Sequence, residues 1–195
     1  MIRFISSLCV GISIVALLAG CNKPAEQPKQ SPPAFTQGHP EGSTKSVAGV
    51  RWTVPGKWVV QAERQMRIAT YSVPAVEGDP EDGECAVFFF GRGQGGDVEM
   101  NIDRWVNQFE NAGKPDRSTK EVNGLKVTLV EVAGTYLAPA GPMMQSQGKK
   151  ENYKLLGAIV EAPDGSVFFK LTGPAKTVAA AEPDFNSMID SITKQ

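Results

Sequence analysis

Apolar and polar positions alternate with a period of two through much of the chain from Val50 onward, the mark of strands buried on one face. Val50-Arg51-Trp52-Thr53-Val54 alternates and stops at Pro55-Gly56, predicting a strand and a turn. From Arg67 to Val73 the pattern returns, with Ala69, Tyr71 and Val73 on one side and Met66 and Ile68 on the other. An acidic loop, Glu77 to Glu84, leads into the apolar run Cys85–Phe90, which reads as a buried strand. After the glycine loop Gly91–Gly96 the period changes. Val98, Ile102, Trp105 and Phe109 keep helical spacing, with Asp97 as cap. Leu125–Tyr136 is the longest predicted strand, followed by a long insertion, Leu137 to Asn152. Tyr153–Ala162 and Ser166–Thr172 form a hairpin across Pro163-Asp164-Gly165. Gly173-Pro174 ends that strand, and Val178, Ala181, Phe185, Met188, Ile189 and Ile192 carry a C-terminal helix that Pro183 is expected to split. Strands joined by turns, with two helices to cover a face, define an α+β domain on a largely antiparallel sheet.

The N-terminus has a different pattern. Arg3 gives a short positively charged start, and Leu8 to Leu18 is an apolar run shorter than the roughly 20 residues a spanning helix needs. It closes on Leu18-Ala19-Gly20-Cys21, which resembles the lipobox of bacterial lipoproteins. Small residues at Ala19 and Gly20 let the backbone enter a narrow peptidase groove, and Cys21 offers a thiol for lipid transfer. The expected arrangement is a signal peptide over 1–20, a lipidated Cys21 with a Pro-rich tether over 21–47, and the folded domain over 48–195. Acyl chains stabilise membrane attachment by ~0.8 kcal/mol per buried CH₂, so two or three hold far better than one.

Residues 22–46 contain prolines 24, 28, 32, 33 and 40 and one aromatic ring, Phe35. Such a segment buries too little apolar surface to offset its ordering entropy. As a flexible coil it sets the domain roughly 25–30 Å from the bilayer. With Cys9 lost in the leader and Cys21 in a thioether, Cys85 is the remaining thiol and reads as a buried structural residue. The chain's only histidine, His39, lies in the tether, unsuited to act as a base or metal ligand.

A chain of 195 residues, 41% of them hydrophobic, suffices for one domain with a real core. Its formal charge of −1 and the lack of a basic stripe argue against nucleic acid as a partner. Gly91-Arg92-Gly93-Gln94-Gly95-Gly96 satisfies G-x-G-x-x-G between a strand and a helix. However, Asp97 and Glu99 put negative charge where a pyrophosphate would sit, so the loop reads as a glycine turn and not as a nucleotide site. Glu77, Asp79, Glu81, Asp82 and Glu84 lack the ligand order of a calcium loop and read as a solvated acidic hairpin. There is no Ser/His/Asp set, CxxC or HExxH, and no metal or other cofactor is expected. Paired carboxylates stay open as a means of hydrolysis, though no pair stands out. Two surface features suggest a partner contact: Met143-Met144 in the 137–152 insertion, since Met-rich loops adapt to apolar surfaces, and Trp58 at the first turn, where tryptophan also serves to plug a sheet end.

The runs Trp52-Thr53-Val54-Pro55-Gly56-Lys57-Trp58, Arg67-Ile68-Ala69-Thr70-Tyr71 and Asn101-Ile102-Asp103-Arg104-Trp105 with Gln108-Phe109 carry a resemblance. Gly134-Thr135-Tyr136, Leu155-Leu156-Gly157-Ala158-Ile159-Val160-Glu161 and Phe168-Phe169-Lys170-Leu171-Thr172-Gly173-Pro174 continue it. Over residues 50–192 the chain resembles a group of bacterial lipoproteins similar to the fold shared by the PsbP extrinsic subunit of photosystem II and a Ran-binding nuclear-import factor. The resemblance implies an α/β/α sandwich around an antiparallel sheet, and a protein that binds other proteins without catalysing a reaction. It carries over no site residue, and the metal ligation of some PsbP-like proteins needs histidines that the domain lacks.

Two functions from different classes follow: a membrane-anchored binding or assembly module in the cell envelope, possessing no reaction of its own, or a carboxylate- or metal-dependent envelope hydrolase. Asn22, in place of the aspartate that retains lipoproteins at the inner membrane, points to the periplasmic face of the outer membrane, with an envelope protein as the expected partner.

Overall fold

The computed structural model of the chain describes residues 42–139 and 146–195. β1 (Thr44–Val47) turns through Ala48 and Gly49, both at positive φ, into β2 (Val50–Thr53). β1 begins inside the stretch read as tether. Its Thr-Lys-Ser-Val alternation is weakly apolar, and pairing with β2 is what makes it a strand. Next come β3 (Val59–Val60), β4 (Ala69–Val73), β5 (Gly83–Phe89), α1 (Val98–Val106), β6 (Phe109–Glu110), β7 (Asp116–Val122) and β8 (Leu125–Pro139). β9 (Ser146–Ala162), β10 (Gly165–Pro174), α2 (Ala175–Asp190) and β11 (Thr193–Lys194) complete the order.

Eight strands form the main sheet in the order β3-β4-β5-β10-β9-β8-β6, with β7 also on β8; β1, β2 and β11 form a small second sheet. Every pairing is antiparallel. Side chains along β9 and β10 alternate between two cores, because successive strand residues point to opposite faces. Leu156, Ala158, Val160, Phe169 and Leu171 pack with Val178, Phe185 and Met188 of α2 and with Trp52 of the small sheet. Leu155, Ile159 and Phe168 pack on the other face with Ile102 and Trp105 of α1. The architecture is therefore the expected α+β sandwich, with helices on both faces of an antiparallel sheet.

Three local expectations need correction, and one strand has no counterpart in the sequence pattern. Phe109 leaves the helical pattern: α1 ends at Val106, and Phe109 pairs with Tyr136 across β6 and β8, the ring centroids 5.1 Å apart. The 137–152 insertion is mostly strand. β8 runs to Pro139 and β9 starts at Ser146, with Leu137 opposite Lys149 and irregular register at Gly134/Tyr136 and Leu137/Pro139. Cross-strand pairing here overrides poor strand formers such as Gly148, Lys149 and Lys150. Pro183 does not split α2. The carbonyl its ring leaves without a donor belongs to Ala179, an exposed residue open to water, while Val178, Ala181, Phe185 and Met188 anchor the helix on both sides. Finally, β7 has little apolar pattern. Its pairing with β8 through the Asn123-Gly124 turn, where both residues have positive φ, makes it a strand.

Candidate functional site

A helix of nine residues is about 13 Å long, whereas strands spaced about 4.8 Å apart make the main sheet much wider, so α1 covers only part of its face. The uncovered part lies over β4, β5 and β10, where two cross-strand rows carry small or polar side chains. Ser72, Glu84 and Thr172 stand in one row, and Thr70, Ala86 and Lys170 in the next. Ser72, Glu84, Thr172, Ala86 and Lys170 of these rows, with residues from neighbouring loops and from β8 and β9, line a cleft of about 610 Å³.

The charges of the cleft are matched within it. Glu84 takes Nη1 of Arg64 and Nη1 of Arg67, each at 2.8 Å. Arg67 also lies over the Phe88 ring, 5.7 Å from its centroid. Glu81 accepts from Lys150 Nζ at 2.7 and 2.8 Å, and from the Tyr153 hydroxyl. The Lys150 hydrogen bonds, then that of Tyr153, hold the Glu81 carboxyl below its usual range. Burial, reinforced by Glu81, raises the Tyr153 phenol. Tyr153 stacks on Tyr136 with centroids 5.7 Å apart and planes at 2°, and burial pushes Tyr136 up to about 12.

Lys170 is the exception, because no carboxylate among the described residues forms an ion pair with it. Its Nζ donates to Gln108 Oε1 at 2.5 Å and to the Tyr136 hydroxyl at 3.5 Å, and lies 5.4 Å from the Tyr136 ring centroid. Burial pushes this ammonium down to about 8, and the Arg67 cation adds to the effect against the opposing pull of Glu84. In the adjacent row, the buried Thr172 hydroxyl has no hydrogen-bond partner among the described residues.

The residues singled out from sequence fall elsewhere. Trp58 is 1% exposed and tilts against Tyr71, so it is a core plug and not a surface for a partner. Leu18, Ala19, Gly20 and Cys21, and equally Met143 and Met144, lie outside the described residues. Cys85 is buried, and burial raises its thiol pKa, which makes it inert. Nor does the acidic loop form one site. Asp79 accepts from Thr177 N and Oγ1, Asp82 from Ser72 Oγ and Ala75 N, and Glu81 and Glu84 face separate cations. Among the described residues, no three His, Cys, Asp or Glu side chains gather as metal ligands would. At the glycine loop, Asp97 Oδ1 takes Met100 N at 2.7 Å, and Asn101 Nδ2 donates to the carbonyls of Gly95 and Asp97. The helix N-terminus thus already holds a carboxylate.

Sequence reasoning missed Lys170, Arg64, Arg67 and Glu81. The signal was present in the strands: Thr70-x-Ser72, Glu84-x-Ala86 and Lys170-x-Thr172 interrupt apolar runs at alternate positions, and a central sheet buries such positions unless a site lies there.

Compared with known proteins, the chain matches no family model, and no curated protein matches it. Its fold is similar to the solution structure of cyanobacterial PsbP (CyanoP) from Synechocystis sp. PCC 6803, with a TM-score of 0.52 and 10% identity over 87% of this chain and 100% of that one. The crystal structure of PA94, a protein of unknown function from Pseudomonas aeruginosa, gives a TM-score of 0.43 at 14% identity, covering 78% of this chain and 96% of that one. The fold is PsbP-like.

Proposed function

We propose that the chain is an envelope lipoprotein, cleaved before Cys21 and lipidated there, whose domain acts as a binding or assembly module through the cleft beside α1. One observation carries the reading of the domain. The acids of the cleft are hydrogen-bonded to its cations and hydroxyls, and the Glu81 carboxyl is held below its usual range. Hydrolysis by paired carboxylates would need two that converge on one point with their pKa values pushed apart. Glu81, Asp82 and Glu84 instead turn to separate partners. The PsbP-like resemblance supports binding over catalysis, and the order Leu18-Ala19-Gly20-Cys21 supports the anchor. Asn22 supports the periplasmic face of the outer membrane. Met143 and Met144 are further contact residues in this reading.

The test is affinity capture of the lipidated protein from cross-linked membranes, comparing the native chain with Arg64→Glu. An envelope protein held by the native chain and lost from the variant supports the module. Turnover of an envelope polymer or ester by the purified protein, abolished by Glu81→Gln, would replace it with the hydrolase.

A further inference from the structure

The cleft contains four cations, and three of them are paired with carboxylates. Arg64 and Arg67 share the Glu84 carboxylate, and Lys150 holds that of Glu81. Among the described residues, the remaining cation, Lys170, hydrogen-bonds only to neutral oxygens, those of Gln108 and Tyr136. The cleft-lining charges sum to +1, four cations (Arg64, Arg67, Lys150, Lys170) against three acids (Glu81, Asp82, Glu84). A half-buried ammonium without a counter-charge is costly, and an incoming anion relieves that cost. Next to it, Thr172 Oγ1 is buried with no hydrogen-bond partner among the described residues, a hydroxyl able to donate to the same anion. Tyr136 and Tyr153 are buried and stacked on each other, with Lys170 and Lys150 over their rings, so they and Phe88 offer the cleft an apolar edge. A volume of about 610 Å³ falls within the roughly 300–1,000 Å³ typical of small-molecule sites.

We propose that the cleft binds a small organic acid, its carboxylate on Lys170 and Thr172 and its apolar body along the edges of Tyr136, Tyr153 and Phe88. Carboxylate is favoured over phosphate because one ammonium and one hydroxyl match a single negative charge, while both arginines already hold Glu84. No bond is made or broken: the ligand supplies the counter-charge missing from Lys170. The inference rests on the binding reading above and names the ligand class of that site.

Isothermal titration of the full chain with benzoate, succinate and inorganic phosphate tests it. Benzoate should bind saturably, Lys170→Met should weaken it at least tenfold, and Lys170→Arg should restore most of the affinity. Lys126→Met, which breaks an exposed pair with Glu161 outside the cleft, should bind as the native chain does. A melting temperature for each variant separates lost binding from lost fold. If Lys170→Met does not fold, amide shifts of Lys150 and Thr172 in the native protein on benzoate addition decide the matter. Absence of benzoate binding, equal binding by a folded Lys170→Met, or binding of phosphate alone would overturn the inference. Cross-linked capture of a protein that depends on Arg64 would still stand in that event, so the two readings fail separately.

Discussion

The indole of Trp105 lies directly on Gly157. A Cβ at position 157 would come within 2.7 Å of Trp105 Cε3 and 2.8 Å of Val130 Cγ1. Gly157 pairs with Lys170 in the next strand, so the glycine that seats α1 also sets its C-terminal end, and Gln108 just beyond it, against the Lys170 ammonium. Gly157→Ala should therefore destabilise the fold by about 1–3 kcal/mol, the usual range for an overpacked core. Urea unfolding measures this, and an unchanged midpoint would show that the helix is not seated as described.

The cap on α1 gives a second prediction. Asp97→Ala removes the acceptor for Met100 N and should cost about 1 kcal/mol. Gly93→Ala, at φ +69° with nothing close to its side-chain position, should cost about 1–2 kcal/mol through backbone strain alone. Neither change should create or remove nucleotide affinity. Saturable nucleotide binding by the native chain, weakened by Gly93→Ala, would reinstate the glycine loop as a phosphate site.

Stability should depend on pH through Lys170, which faces Arg67, Glu84, Gln108 and Tyr136. Its folded value, about 8, lies below the ordinary 10.5, so its proton binds less tightly in the folded state than in the unfolded one. The destabilisation is complete below about pH 8 and is relieved as pH rises toward 10.5. The urea midpoint of the native protein minus that of Lys170→Met should rise from pH 7 to pH 9.5. Taking the difference cancels the ionisation of tyrosines in the unfolded chain. A difference that fell over this range would contradict a lowered Lys170 ammonium.

Much of the fold was legible because burial imposes a period on sequence. The strand pattern at Ala69, Tyr71 and Val73, the Asp97 cap and the Pro163-Asp164 hairpin all appear where local chemistry placed them. What stayed hidden depends on partners distant in sequence. β7 has few apolar residues and exists through β8, the arm around Lys149 through pairing with Leu137, and the continuity of α2 through packing on either side of Pro183. The cleft was hidden for the same reason. Arg64 and Glu84, or Lys170 and Gln108, become neighbours only once the sheet assembles.

The anchor makes its own prediction. Cys21→Ser should leave an unlipidated, uncut precursor visible as a larger band, and normal maturation of that variant would remove the lipoprotein reading. On a density gradient the native protein should appear with the outer membrane, as Asn22 implies. Recovery wholly in the inner-membrane fraction would withdraw that location while leaving the lipid in place.

The proposed work of this domain is binding at the cleft beside α1. Site-specific photo-crosslinking in living cells tests it most directly, with the photoreactive residue placed either at Gln61, which lines the cleft, or at the exposed Ala179 of α2. A discrete adduct from Gln61 that disappears in Arg64→Glu, with none from Ala179, is the expected result. An adduct from Ala179 alone would place the working surface on the opposite face and contradict the account.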